Sequence, residues 1–92
     1  VAQRSVLVRY FGRVQGVGFR ASVRSIAQDF KLKGWVKNES DGSVHMIVTA
    51  EAAEIEAFLK AVRSSRLSGY IDREVQESSA LAADLKGFDI QY

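Results

Sequence analysis

The stretch FGRVQGVGFR, residues 11–20, places three glycines within seven residues and an arginine toward each end, Arg13 and Arg20. Neither a strand nor a helix interior favours so much backbone freedom. The chemistry that uses it is anion binding. Consecutive N–H groups freed of side chains at Gly12, Gly16 and Gly18, leading into a helix start, form a nest for a phosphate or carboxylate. Arg20 falls in the first turn of the helix that follows, and its planar guanidinium can hold two phosphate oxygens at once. Loop, helix start and arginine together make a phosphate cradle that uses no metal.

Other glycine-rich motifs compete for the same residues. Gly16, Gly18 and Ala21 match G-x-G-x-x-G/A, the dinucleotide fingerprint, with Glu39 and Asp41 about 20 residues on. That motif needs successive parallel strand–helix–strand units, which the turn SDG at residues 40–42 interrupts. A P-loop needs Lys followed by Ser or Thr after its last glycine, and neither is present. QGVGFRAS also has a faint likeness to an RNA-recognition element, but that element belongs on a third strand, and the third strand here, SVHMIV, has no aromatic residue. RNA binding stays open as the alternative, as does a non-catalytic phosphate-binding module.

The rest of the chain bounds the choice. Ninety-two residues fit one small domain, taken as residues 1–92, that buries roughly two-thirds of its unfolded surface. Cysteine is absent and His45 is the one histidine, which argues against disulfides, thiolate nucleophiles, Cys- or His-based metal sites and Ser–His catalysis. No run of about 18 apolar residues occurs and the N-terminus lacks a basic-then-apolar signal segment. A cytoplasmic protein without a membrane partner is expected. The net charge of +2 hides an asymmetry: residues 1–37 carry eight Lys/Arg against Asp29 alone, and residues 38–92 carry five against ten acidic residues. A basic first half attracts anions.

Periodicity supplies the elements that must hold the cradle. SVLVRYF, residues 5–11, reads as a strand with Val6, Val8 and Tyr10 on one face. Val23, Ile26, Ala27 and Phe30 share one side of a helix over residues 20–32, which Gly34 would close as an exit-turn glycine. SDG then makes a hairpin of residues 35–39 and 43–49. Ile55, Phe58, Leu59 and Val62 give the clearest helix, over residues 51–65. Residues 70–77 form a polar, edge-like strand, 78–86 a loop, and FDIQY, 88–92, a closing strand. With right-handed crossovers the fold class is α+β: a ferredoxin-like β-α-β-β-α-β sandwich, its antiparallel sheet carrying two helices on one face and a short extra C-terminal strand. Trp35 is expected against a helix or at the sheet edge, Phe19 in the core, and His45 as an ordinary strand residue.

GRVQGVGFR, residues 12–20, resembles the acylphosphatase signature G-x-V-Q-G-V-x-F-R at every fixed position. GWVKNESDGSV, residues 34–44, resembles the family's second signature, G-[FYW]-[AVC]-x-N-x-x-x-G-x-V. Both occur in the family's order with a helix between them. The resemblance implies hydrolysis of the carboxyl–phosphate bond of small-molecule acyl phosphates, with inorganic phosphate as product and competitive inhibitor. By the family's pattern Arg20 binds the phosphoryl oxygens with the amides of Gln15, Gly16, Val17, Gly18, Phe19 and Arg20, and Asn38 orients the attacking water. No metal, cofactor or nucleic acid is implied, and a monomer is expected. The Gln15 side chain is expected to brace the loop, and Arg13, at a variable position, to be solvated. Two departures stand out: Ala50 where the family has Gly, and no Gly-Pro after the second helix. Both are expected at turns. Glu39, next to Asn38, should point to the opposite face of its strand.

Overall fold

In the computed structural model, which describes residues 3–80 and 85–91, five strands form one sheet in the order β4-β1-β3-β2-β5. They are β1 (Gln3–Gly12), β2 (Lys33–Asn38), β3 (Val44–Glu51), β4 (Ile71–Ser79) and β5 (Phe88–Gln91). Two helices, α1 (Phe19–Ala27) and α2 (Ala52–Arg63), follow β1 and β3, and a 3-10 turn at Arg66–Tyr70 precedes β4. Residues 81–84 of the expected loop and Tyr92 of the expected last strand lie outside the described residues.

The alternation in the strands decides which side of the sheet the helices cover. Val6, Val8 and Tyr10 of β1 face the same side as Val44, Met46, Val48 and Ala50 of β3 and Val36 of β2. Most of these are completely buried, and they meet Val23 and Ala27 of α1 and Ile55, Phe58, Leu59 and Val62 of α2. The α2 stripe is therefore the core face the spacing requires. Tyr10 packs against Phe19 with ring centroids 5.1 Å apart, and burial first, then the Glu74 carboxylate, push its hydroxyl pKa up, so it stays neutral.

Four sequence expectations need correction. The sheet is mixed: β1, β3, β2 and β4 pair antiparallel, but β5 runs parallel to β2, with Val36 opposite Ile90. Next, α1 ends at Ala27 rather than residue 32. Its last turn tightens through Asp29 N–H to Ile26 O and Phe30 N–H to Ala27 O, both 3.1 Å, which swings Phe30 onto Phe58, 5.7 Å between ring centroids. Gly34 is no turn glycine. It is buried within β2, where a Cβ would stand 1.9 Å from the carbonyl oxygen of Ile47, so close approach of β2 to β3 is what demands glycine. Trp35 lies half-buried on the face away from the helices, opposite Ile47 and between Lys33 and Lys37.

The two departures from the family signatures also find their places. Ala50 is buried inside β3, paired with Arg4, and not at a turn. No non-glycine residue among the described ones has a positive φ, so alanine is no strain there. After α2 the chain turns without proline because Ser65 caps the 3-10 turn, its hydroxyl accepting from Leu67 N–H at 3.2 Å and donating to Val62 O at 2.7 Å.

The β2–β3 turn closes as SDG requires. Gly42 N–H donates to Glu39 O at 3.1 Å, and the Asp41 carboxylate accepts from Ser43 Oγ at 2.5 Å and Ser43 N at 2.9 Å. Those bonds, the hydroxyl's foremost, hold the Asp41 pKa below the ordinary carboxylate range.

Two outcomes follow. Gly34→Ala is expected to lose about 3 kcal/mol of stability, read as a lower denaturant midpoint. Asp41→Asn should lower Tm at neutral pH. Because the folded pKa is depressed, the carboxylate's contribution is complete above its unfolded value and is lost as the pH falls through the folded one. The Tm gap between wild type and variant should therefore close on acidification below about pH 4, and a gap independent of pH would contradict the assignment.

Candidate active site

The loop between β1 and α1 leaves the sheet at the end of β1, beside the β2–β3 turn. Gly16 and Gly18 take φ values of 77° and 75°, in the left-handed region that side chains avoid. Gly18 is the N-cap of α1, and Ser22 N–H makes the first helical bond to its carbonyl at 3.0 Å. Among the described residues no hydrogen bond is donated by the N–H groups of Gln15 through Phe19. They are the donors of a helix start and its approach, grouped where a helix dipole favours negative charge.

A cavity of about 180 Å3 opens at this point, lined by Val14, Gly16, Gly18, Phe19, Arg20, Ala21, Asn38 and Ile90. It brings Arg20 and Asn38 together from α1 and the end of β2. Asn38 shares the helix-side face of β2 with Gly34 and Val36, and its buried side-chain oxygen has no hydrogen-bond partner among the described residues. Arg20, half-buried, donates from Nη1 to the Gln91 carbonyl of β5 at 3.4 Å. Phe19 serves both as core, 2 % exposed, and as cavity wall.

The remaining site candidates divide by what they touch. Gln15 and Val17 do not line the cavity. The Gln15 side chain braces the loop, as expected: its Nε2 donates to Glu39 O at 2.7 Å and Ser43 O at 2.9 Å. That ties the glycine loop to the turn directly after Asn38. Gly12 stands outside the cavity, where the register of β1 against β4 shifts. Arg13 is exposed, over the Tyr70 ring at 6.0 Å. Glu39 turns to the other face of the sheet, 3.8 Å from Lys37 Nζ and 4.0 Å from His45 Nδ1, so its carboxylate is directed away from the cavity.

Sequence reasoning missed Val14, Ala21 and Ile90 as cavity walls. Alternation in FDIQY marks Ile90 as inward-facing, but only the parallel pairing of β5 with β2 sets it beside Asn38. It also missed Arg66, whose segment carries no periodic signal. Among the described residues no group of three or more His, Asp or Glu could hold a metal ion.

Comparison with known proteins fits this geometry. The acylphosphatase family model matches residues 6–90. The chain belongs to the acylphosphatase family. It is 44% identical to an acylphosphatase of Latilactobacillus sakei over 75 residues, 80% of this chain and 82% of that one. With an acylphosphatase of Lactobacillus gasseri it shares 34% identity over 90 residues, 97% and 99% of the two chains. Among solved structures, the acylphosphatase of Bacillus subtilis superposes with a TM-score of 0.86 at 31% identity, covering 99% of this chain and all of that one. Full-length HypF gives a TM-score of 0.89 at 35% identity, covering 99% of this chain but 12% of HypF.

Proposed function

We propose that this acylphosphatase-family protein is a hydrolase that cleaves the carboxyl–phosphate bond of acyl phosphates to a carboxylate and inorganic phosphate. One observation carries the reading: Arg20, the amide-rich start of α1 and Asn38 converge on a single small cavity. The phosphoryl group would sit on the N–H groups of residues 15–20 with the Arg20 guanidinium as counter-charge. Asn38, from the facing wall, would orient the attacking water through its side-chain amide.

The chemistry suits such a sparse site. A carboxylate is a good leaving group, so no strong acid need protonate it. Phosphoryl transfer depends mainly on positioning and on stabilising charge at the equatorial oxygens. The phosphate of the substrate can accept the proton of the water, which needs no protein base. The reading takes the protein as a single-domain cytoplasmic monomer acting on a small molecule, without cofactor, metal or nucleic acid.

A phosphate-binding module within a larger protein is the second reading, favoured by the close superposition on a small fraction of full-length HypF. Turnover separates the two. Hydrolysis of a small acyl phosphate such as benzoyl phosphate should be measurable, competitively inhibited by inorganic phosphate and indifferent to chelators. Phosphate binding without turnover would leave the module. Arg20→Gln should abolish turnover and weaken phosphate binding. Asn38→Ala should lower kcat by roughly 10²-fold with little change in KM, the behaviour of a lost transition-state donor. Rates like wild type in either variant would refute the roles assigned.

A further inference from the structure

Arg66 belongs to no signature and lies in the 3-10 turn between α2 and β4, yet its side chain crosses to the glycine loop. Its Nη2 donates to Ser22 Oγ at 2.6 Å and to Val17 O at 2.9 Å, with Gly18 O at 3.3 Å as a longer, shared acceptor. The backbone that carries it is fixed. Leu67, the next residue, is completely buried, and Ser65, the one before, caps the turn.

The bonded carbonyls decide where the loop's donors point. In a trans peptide unit the N–H lies opposite the C=O, and no cis peptide occurs among the described residues. Holding the carbonyls of Val17 and Gly18 toward Arg66 therefore turns the N–H groups of Gly18 and Phe19 away from it. Both residues line the cavity. Glycine at 18 gives the Val17–Gly18 peptide plane freedom to rotate, and an empty nest of N–H groups repels itself electrostatically. A guanidinium on the opposite, carbonyl side opposes both effects.

We propose that Arg66 is a positioning residue: it locks the Val17–Gly18 peptide plane and reinforces the Gly18–Phe19 plane, which Ser22 N–H already holds through the Gly18 carbonyl at 3.0 Å, so that both amides are presented to the phosphoryl group, without touching substrate. The proposal rests on the phosphate-cradle reading of the same loop.

The test compares wild type, Arg66→Ala and Ser22→Ala for inorganic phosphate affinity, followed through the amide resonances of Gly18 and Phe19, and for acyl phosphate kcat and KM. Both variants change exposed or half-buried side chains, and thermal melts identify the temperatures at which each is folded. Arg66→Ala is expected to weaken phosphate binding by about tenfold to a hundredfold, the scale of lost charge-assisted hydrogen bonds, and to shift both amide resonances in the free protein. Ser22→Ala should shift them less and in the same direction, and it carries the test should Arg66→Ala fail to fold. The weakening should persist at about 1 M salt, where a merely long-range charge effect is screened. Unchanged phosphate affinity, or a defect that disappears in high salt, would overturn the role. A wild type that binds phosphate and turns over acyl phosphate while Arg66→Ala equals it would overturn the role of Arg66 alone. A wild type that does neither would overturn the underlying reading and this role with it.

Discussion

The glycine loop sets the constraint on which the site depends. Its amides can converge on an anion only if its carbonyls are held outward, and glycine at 16 and 18 makes that arrangement accessible without making it stable. The order must come from elsewhere. The Gln15 side chain supplies it from one side, bonded to two carbonyls of the β2–β3 turn. Arg66 supplies it from the other, bonded to two carbonyls of the loop itself. Phe19 adds an apolar anchor at the start of α1, packed on Tyr10 of β1. A loop of nearly bare backbone is thus fixed by side chains that come from, or reach, three other parts of the fold.

The sheet makes those attachments possible. Because β1 and β2 both flank β3, the end of β1 and the end of β2 emerge near one another, and the loop after β1 meets the turn after β2. Close pairing of β2 with β3 therefore shapes the cavity as well as the sheet. Gly34 permits it by offering no Cβ to the Ile47 carbonyl, and four residues further along the same strand stands Asn38. The Gln15 bonds then couple the two walls of the cavity, since they end on Glu39 and Ser43, on either side of the turn that Asp41 braces.

Sequence made the local features legible. The α2 stripe, the SDG turn and the glycine loop each follow from residues within a dozen positions of one another, and the two signatures joined Arg20 to Asn38. What escaped was set by non-local pairing. FDIQY announces a strand but not its partner, so the parallel docking of β5 on β2 and the placing of Ile90 at the cavity were hidden. Gly34 was misassigned because a helix exit and a close strand approach both call for glycine, and only the facing carbonyl distinguishes them. Arg66 lies in a segment without periodicity, and nothing in its neighbours points 48 or 49 residues back to the carbonyls it binds.

The composition of the cavity wall bears on how a phosphoryl group would react there. Among the described residues that line it, Arg20 is the one ionisable side chain. The nearest acidic residue in sequence to Asn38, Glu39, is turned to the opposite face and engaged with Lys37 and His45. A dianionic substrate would thus meet a guanidinium and a helix N-terminus without a facing carboxylate, so the wall adds attraction without like-charge repulsion. The same arrangement leaves no carboxylate on the wall to take a proton. On the proposed reading the burden passes to the phosphoryl oxygens themselves, and the protein's part is geometric. On that reading it would present N–H donors and the Arg20 guanidinium to the phosphoryl group and the Asn38 amide to the attacking water.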